Sequence, residues 1–242
     1  MPGTAKQHAP VLIFFGLMAA SLAALLLLPP ILQDQGYHRL ADERALLGIP
    51  NAWNVLSNIP FAVIGAVGLA QCRYDAATIA IFLGILMTGL GSAFFHWYPN
   101  DDTLFWDRLP MALAFMAILA FAIQERLNAR AGAVLLWPFL AIGVFSLLLW
   151  RQNGDLRLYA WVQFFPCLAL PLMFLLLSPK YTGTPYWIAA AALYALAKVL
   201  ERFDGEIFSI GHVVSGHTLK HLVAGAACVT VLRYFQTRRP IA

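Results

Sequence analysis

Between about residues 11 and 235 the chain offers apolar runs of some 20 residues, one after another, with only short polar gaps between them. No other feature restricts the fold so strongly, because a helical run of that length matches the hydrocarbon thickness of a bilayer. Eight such segments are predicted, at about 11–32, 52–71, 76–97, 105–124, 131–150, 157–177, 184–200 and 212–235. Composition agrees with a membrane chain. Charged residues make up 12% of the 242 and hydrophobic ones 61%, with a mean hydropathy of +0.72. A water-soluble domain carries about twice that charged fraction. Little chain is left for a soluble domain, so the expectation is one polytopic membrane domain over residues 1–242, all-α in class.

The first segment, VLIFFGLMAASLAALLLLPPIL, follows Lys6 as the apolar part of a signal peptide would. Its run exceeds a usual h-region and no clear small-x-small cleavage site follows it, so an uncleaved helix is expected. Charge then suggests an orientation. With the N-terminus inside, Lys6, Arg73, Arg126, Arg130, Lys180, Arg233, Arg238 and Arg239 fall on the cytoplasmic side, a small excess over the basic residues outside. The acids are more lopsided: only Asp75 and Glu125 fall inside. The expectation is cytoplasmic N- and C-termini, with a polar, acid-rich outer rim suited to a functional mouth. Cys72, Cys167 and Cys228 lie far apart and suggest neither a disulfide framework nor a thiolate metal site. The net charge of +4 comes without a dense basic stretch, so a nucleic-acid partner is not expected.

Three of the six histidines fall at one predicted membrane level. His96 ends the third segment, in GLGSAFFHWYPN, and His217 and His221 open the last, in GHVVSGHTLKHLVAG. The i, i+4 spacing puts His217 and His221 on one helical face, a common chelating pair. Ser92, four residues before His96, shares its helical face. Asp107 begins the next segment, in LFWDRLPM, and an ionisable group at that depth is a functional candidate. Three imidazoles with an open fourth position are the ligand set of a hydrolytic zinc. A nearby carboxylate can move the water's proton to a leaving amine, and a hydroxyl can stabilise the oxyanion.

Other polar residues are expected to be peripheral. Lys220 is read as snorkelling to the outer interface, and Glu201, Arg202, Asp204 and Glu206 as a solvated rim. His212, five residues before His217, is off the chelating face. Trp97, Tyr98, Trp106 and Trp150 are read as interfacial anchors.

At these residues the chain resembles the alkaline ceramidases and their wider membrane hydrolase superfamily. Gly89, Gly91, Ser92, Phe95 and His96 follow that family's Gly-x-Gly-Ser-x-x-Phe-His block. Asp107, Leu109, Pro110 and Met111 follow its Asp-Glu-Leu-Pro-Met block, and His217 with His221 its late His-x-x-x-His. Trp53, Asn54, Ser57 and Asn58 in NAWNVLSN resemble a further block, so the likeness extends from about residue 51 to 225. The resemblance implies a seven-transmembrane-helix bundle over about 51–235, with the helix at 11–32 as an N-terminal addition. It implies zinc held by His96, His217 and His221, with Ser92 and Asp107 as catalytic residues and a ceramide-like bilayer lipid as substrate.

The chain also departs from the pattern. Arg108 stands where the family usually has Glu, which inverts the charge beside Asp107. Asn51 occupies the position of an acidic calcium ligand, and the acidic stretch before it is not reproduced, although Asp42 and Glu43 lie nearby. The sequence therefore argues for Zn2+ and against Ca2+. The leading expectation is a zinc-dependent amidase acting on an N-acyl lipid. An ester-cleaving lipid hydrolase and a zinc-containing seven-helix receptor-like binding protein are the alternatives. A structural zinc would have a fourth protein ligand, a catalytic one an open position. A transporter is not expected, since no paired broken helices appear in corresponding halves. Oligomeric state is not legible.

Overall fold

Once inside lipid, each backbone N–H and C=O must find its partner within its own segment, which makes helices of the apolar runs. A computed structural model describes residues 4–72 and 74–241, with side chains from residue 11 onward; the Lys6 side chain and Arg73 lie outside it. Its regular structure is helical, with no strand among the described residues. The helices are α1 (Thr4–Leu26), α2 (Ala52–Leu56), α3 (Ile59–Gln71), α4 (Ala76–Trp97), α5 (Asp101–Arg126), α6 (Ala129–Asn153), α7 (Arg157–Leu176), α8 (Thr184–Arg202), α9 (Asp204–Ser209) and α10 (Gly216–Thr237). A 3-10 turn, Gln35–His38, lies in the loop after α1.

Five stretches are long and apolar enough to cross a membrane: Ala52–Gln71, which joins α2 and α3, and each of α4 to α7. The apolar part of α1, Val11–Leu26, is shorter. α8 and α10, at 19 and 22 residues, reach about 28 and 33 Å. They are less apolar because they carry Lys198, Glu201, His217, Lys220 and His221. Much of the surface of these helices is apolar. Leu168, Leu175 and Leu176 of α7 and Trp137 of α6 are each about two-thirds exposed or more. Contiguous apolar surface of this kind marks contact with membrane or partner.

Several predicted boundaries shift, each for a local reason. The first segment stops at Leu26 rather than 32, because Pro29 and Pro30 disfavour helical backbone before them. The second segment is divided at Ser57 and Asn58, just ahead of Pro60. α5 starts at Asp101, four residues early. Asn100 caps it: the Asn100 side chain accepts from the Thr103 N–H at 3.0 Å, and the Thr103 hydroxyl accepts from the Asn100 N–H at 3.2 Å. Asp107 therefore sits in the second turn of α5 rather than at its start. The last segment starts at Gly216, capped by Ser215, and leaves His212 in the preceding loop at φ 55°.

α5 is the central helix, packed on α4, α6 and α7, and its Ala112, Met116, Leu119 and Ile123 are fully buried. α10 lies against α8 and α3, while α1 lies on α7, where the Trp161 indole donates to Ser21 Oγ at 3.0 Å. Gly91 lets α4 and α5 meet: a Cβ there would lie 2.1 Å from the Trp106 carbonyl oxygen. The helix ends sort into two groups. At one end Arg157 reaches the carbonyls of Leu26 and Leu28, His38 meets Asp101, and Arg44 holds the carbonyls of His212 and Val213. At the other, Arg126 bonds the Leu177 carbonyl and Thr184, Gln124 bonds Asp75, and Tyr74 bonds the Phe235 carbonyl.

Candidate metal centre

His96 lies in the last turn of α4, and His217 and His221 lie in the first two turns of α10. The two helices are brought together at their loop ends, and all three imidazoles are buried, at 1, 5 and 3% exposure. The rings face one centre. His96 Nε2 is 3.2 Å from His217 Nε2 and 3.3 Å from His221 Nε2, and the ring centroids are 4.7–4.9 Å apart. A tetrahedral zinc with bonds of about 2.0–2.1 Å holds its nitrogens about 3.3–3.4 Å apart. The donor spacing therefore fits such an ion, and these three are the group of residues placed to hold a metal among those described.

The tautomer of one ligand follows from its partners. Ser57 Oγ lies 3.1 Å from the Asn54 carbonyl and 2.8 Å from His221 Nδ1, and with its proton given to the carbonyl it accepts from the imidazole N–H. His221 thus carries its proton on Nδ1, and its Nε2 lone pair points at the centre. Asn54, fully buried, ties this corner to α10 by accepting from the Thr218 hydroxyl at 3.1 Å, while its amide donates to the Asp42 carbonyl at 2.9 Å. Asn51 donates to the His96 carbonyl at 2.8 Å. The NAWNVLSN block is therefore the scaffold of the histidine cluster.

Ser92 and Asp107, at 4 and 6% exposure, face one another across the α4–α5 contact. Asp107 Oδ1 is buried without a hydrogen-bond partner, as is His96 Nδ1. A buried carboxylate oxygen without a protein partner is an available proton acceptor, and binding a donor offsets its desolvation.

Some residues expected at the rim turn inward instead. Lys220 is largely buried, its side chain 16% exposed, and its Nζ lies 2.9 Å from His217 Nε2 and 3.1 Å from Glu201 Oε1. Its long stem lets the ammonium fold back along α10 to the carboxylate that α8 presents. The Lys220 ammonium thus bridges His217 Nε2, one of the three candidate metal-binding atoms, and the Glu201 carboxylate. Glu201 also pairs with Lys198 and accepts from Tyr37 Oη at 3.2 Å. Burial first, and then the charges of Glu201 and Asp107, push the Tyr37 phenol well above its ordinary value, so it remains a donor. Asp204 accepts from the His217 N–H at 2.7 Å and so caps the entry to α10. Trp150 is no interfacial anchor, being 4% exposed and stacked on Arg108. No signal in the sequence distinguished these inward-turned residues from rim residues, because which way a loop-end side chain turns depends on the neighbouring helix.

Asp42 bears on the calcium question. Its buried carboxylate is taken by Arg44, whose Nε and Nη2 lie 2.7 and 2.6 Å from its two oxygens. Burial alone would raise this carboxyl; the hydrogen bonds and charge of Arg44 outweigh it and hold the group below the usual carboxylate range. The guanidinium bridges Asp42 to the loop before α10.

A family model described as Ceramidase matches residues 48–178, more than half of the chain. The match includes Ser92, His96 and Asp107 and ends before His217 and His221. No protein of curated function matches the chain.

Proposed function

The chain belongs to the ceramidase family and is a hydrolase, and from that premise we propose that it cleaves the N-acyl bond of ceramide or a ceramide-like lipid, with zinc held by His96, His217 and His221. The observation that carries this reading is the convergence of three buried imidazoles, with His96 Nε2 at zinc spacing from the Nε2 atoms of His217 and His221. When bound, zinc would supply a Lewis acid to the amide carbonyl and a water of pKa about 7. Asp107 takes the proton lost as water adds to the carbonyl carbon and returns it to the nitrogen as the C–N bond breaks, giving a fatty acid and an amine. Ser92 donates to the oxygen on which charge develops. The Ser57–His221 bond holds one imidazole in register.

In this reading residues 1–242 form a single membrane domain. Seven spans, with α2 and α3 as one, surround the site, and α1 is an eighth, added outside α7. Both termini face the cytoplasm and the histidine cluster lies toward the other side. Arg44, in place of Ca2+, satisfies Asp42.

The test is to incubate purified, detergent-solubilised protein with matched N-acyl and O-acyl lipids and follow fatty-acid release with and without a chelator. The expected result is chelator-sensitive release from the N-acyl lipids, with about one zinc per chain by elemental analysis and most of it lost in His217→Ala and His221→Ala. Release unaffected by metal removal, or zinc unchanged in both variants, would sink the proposal.

A further inference from the structure

Arg108, the residue after Asp107, is nine-tenths buried. Its guanidinium is enclosed by three rings, with Cζ 4.9 Å from the centroid of Trp150, 5.0 Å from Tyr159 and 5.5 Å from Tyr37. Aromatic faces make a buried cation tolerable without neutralising it. The other deeply buried guanidinium, Arg126, has an acid, a carbonyl and a hydroxyl as partners. Arg108 makes no ion pair with any described residue, and its Nη1 is buried without a hydrogen-bond partner. A guanidinium is a planar fork of donors matched to a carboxylate or phosphate, and burying one of its nitrogens without a partner is unfavourable.

Its position says what could complete it. Successive residues on a helix point about 100° apart, so Asp107 faces Ser92 on α4 while Arg108 faces Trp150 on α6 and Tyr159 on α7. The Tyr37 ring that covers Arg108 carries the hydroxyl bonded to Glu201, and Glu201 leads through Lys220 to His217. Arg108 is thus joined to the histidine cluster through Tyr37, Glu201 and Lys220, and in the amidase reading it follows the residue, Asp107, that would return the proton to the leaving nitrogen. Trp150, the floor of the cage, also lines a cavity of about 490 Å³ at that end of the bundle. The cavity's acids, Asp101 and Asp102, are already paired with His38 and Arg151.

We infer that Arg108 is a specificity-determining anion site, and that the amine portion of the substrate carries an acidic group, as in an N-acyl amino acid, close to the scissile amide. The inference rests on the amidase reading for the direction in which the substrate lies, and its test separates the two.

The probe is a 4-oxo long-chain acid, the ketone isostere of an N-acylglycine, set against its neutral primary amide and against palmitate. Binding to zinc-loaded protein in detergent is followed by tryptophan fluorescence, to which Trp150 contributes. Wild type should bind the keto acid about 10–100-fold more tightly than the amide, Arg108→Gln should equalise the two, and Arg108→Lys should keep part of the preference. Zinc content should be the same in all three. Hydrolysis should follow: N-palmitoylglycine should show a raised KM in Arg108→Gln, and N-palmitoylethanolamine should not. Equal binding of keto acid and amide by wild type, or an undiminished preference in Arg108→Gln, overturns the inference. If palmitate alone loses affinity in Arg108→Gln, the guanidinium holds the released acyl carboxylate and the head-group assignment is wrong. An Arg108-dependent preference in a protein that cleaves no amide upholds the anion site and removes the amidase reading.

Discussion

With its own proton given to the Asn54 carbonyl, Ser57 meets His221 Nδ1 as an acceptor. That ordering makes it an orienter of a metal ligand, and loss of such a partner typically lowers metal affinity about 10–100-fold. Ser57→Ala should therefore weaken zinc binding by that order in a competition titration while the protein stays folded. An unchanged affinity would show that His221 is held by packing alone. Asp107 calls for a different readout. Asp107→Asn should retain zinc and lose fatty-acid release by about 10²–10⁴-fold, and Ser92→Ala by about 10²-fold. Zinc disappearing from Asp107→Asn would make the carboxylate a ligand or an orienter of one; full activity would remove its proton-transfer role. The residue types of this centre were legible in the chain, since His217 and His221 share a face by spacing alone. The unpartnered oxygen of Asp107 was not, because it depends on what α4 leaves beside it.

Two elements decide whether those residues meet. α4 and α5 touch at Gly91, and a side chain there pushes against the Trp106 backbone carbonyl rather than against something that can rotate away. Gly91→Ala should lower stability by about 1–3 kcal/mol, the usual range for overpacking. It should also impair hydrolysis by separating Ser92 from Asp107. Gly205→Ala in α9, where a Cβ meets nothing within 4 Å, is the control and should leave the melting temperature unchanged or slightly raised. The loop before α2 offers a second test. Asp42 is held below the usual carboxylate range, so its contribution to stability is complete above about pH 4 and fades as pH falls through its folded value. Arg44→Met leaves the acid buried and unpaired. Its melting temperature should fall most near neutral pH, with the deficit shrinking on acidification; a deficit independent of pH would mean that Arg44 acts through the His212 and Val213 carbonyls instead.

For the whole molecule the open question is which way the bundle faces. Helix ends segregate into two groups, and the histidine cluster lies with the group that contains Asp101, His38 and Arg44. With Cys72, Cys167 and Cys228 replaced, cysteines introduced at Asp102 and Arg239 report on the two ends, both positions being exposed. An impermeant thiol reagent applied from outside should label position 102 and spare 239. The reverse pattern would place the metal centre on the cytoplasmic side.

The sequence by itself determined that this chain is helical, with apolar runs long enough to cross a membrane, and which histidines share a face. Both follow from periodicity and from runs of apolar residues, which are properties of neighbouring positions. It also carried the family blocks, although the role of NAWNVLSN as the support of His221 and α10 emerged only when Asn54 and Ser57 were seen against Thr218 and His221. Tertiary structure alone decided which charges turn inward. Lys220, Glu201 and Asp204 stand near helix ends, where a side chain can reach either solvent or the adjacent helix, and the choice involves partners on other elements: Glu201 for Lys220, Tyr37 for Glu201 and His217 for Asp204. Arg108 is the clearest instance. Its charge was plain from the chain, but its burial in a cage of three rings from separate elements, with a donor left free, depends on how α5, α6, α7 and the 3-10 turn close around it.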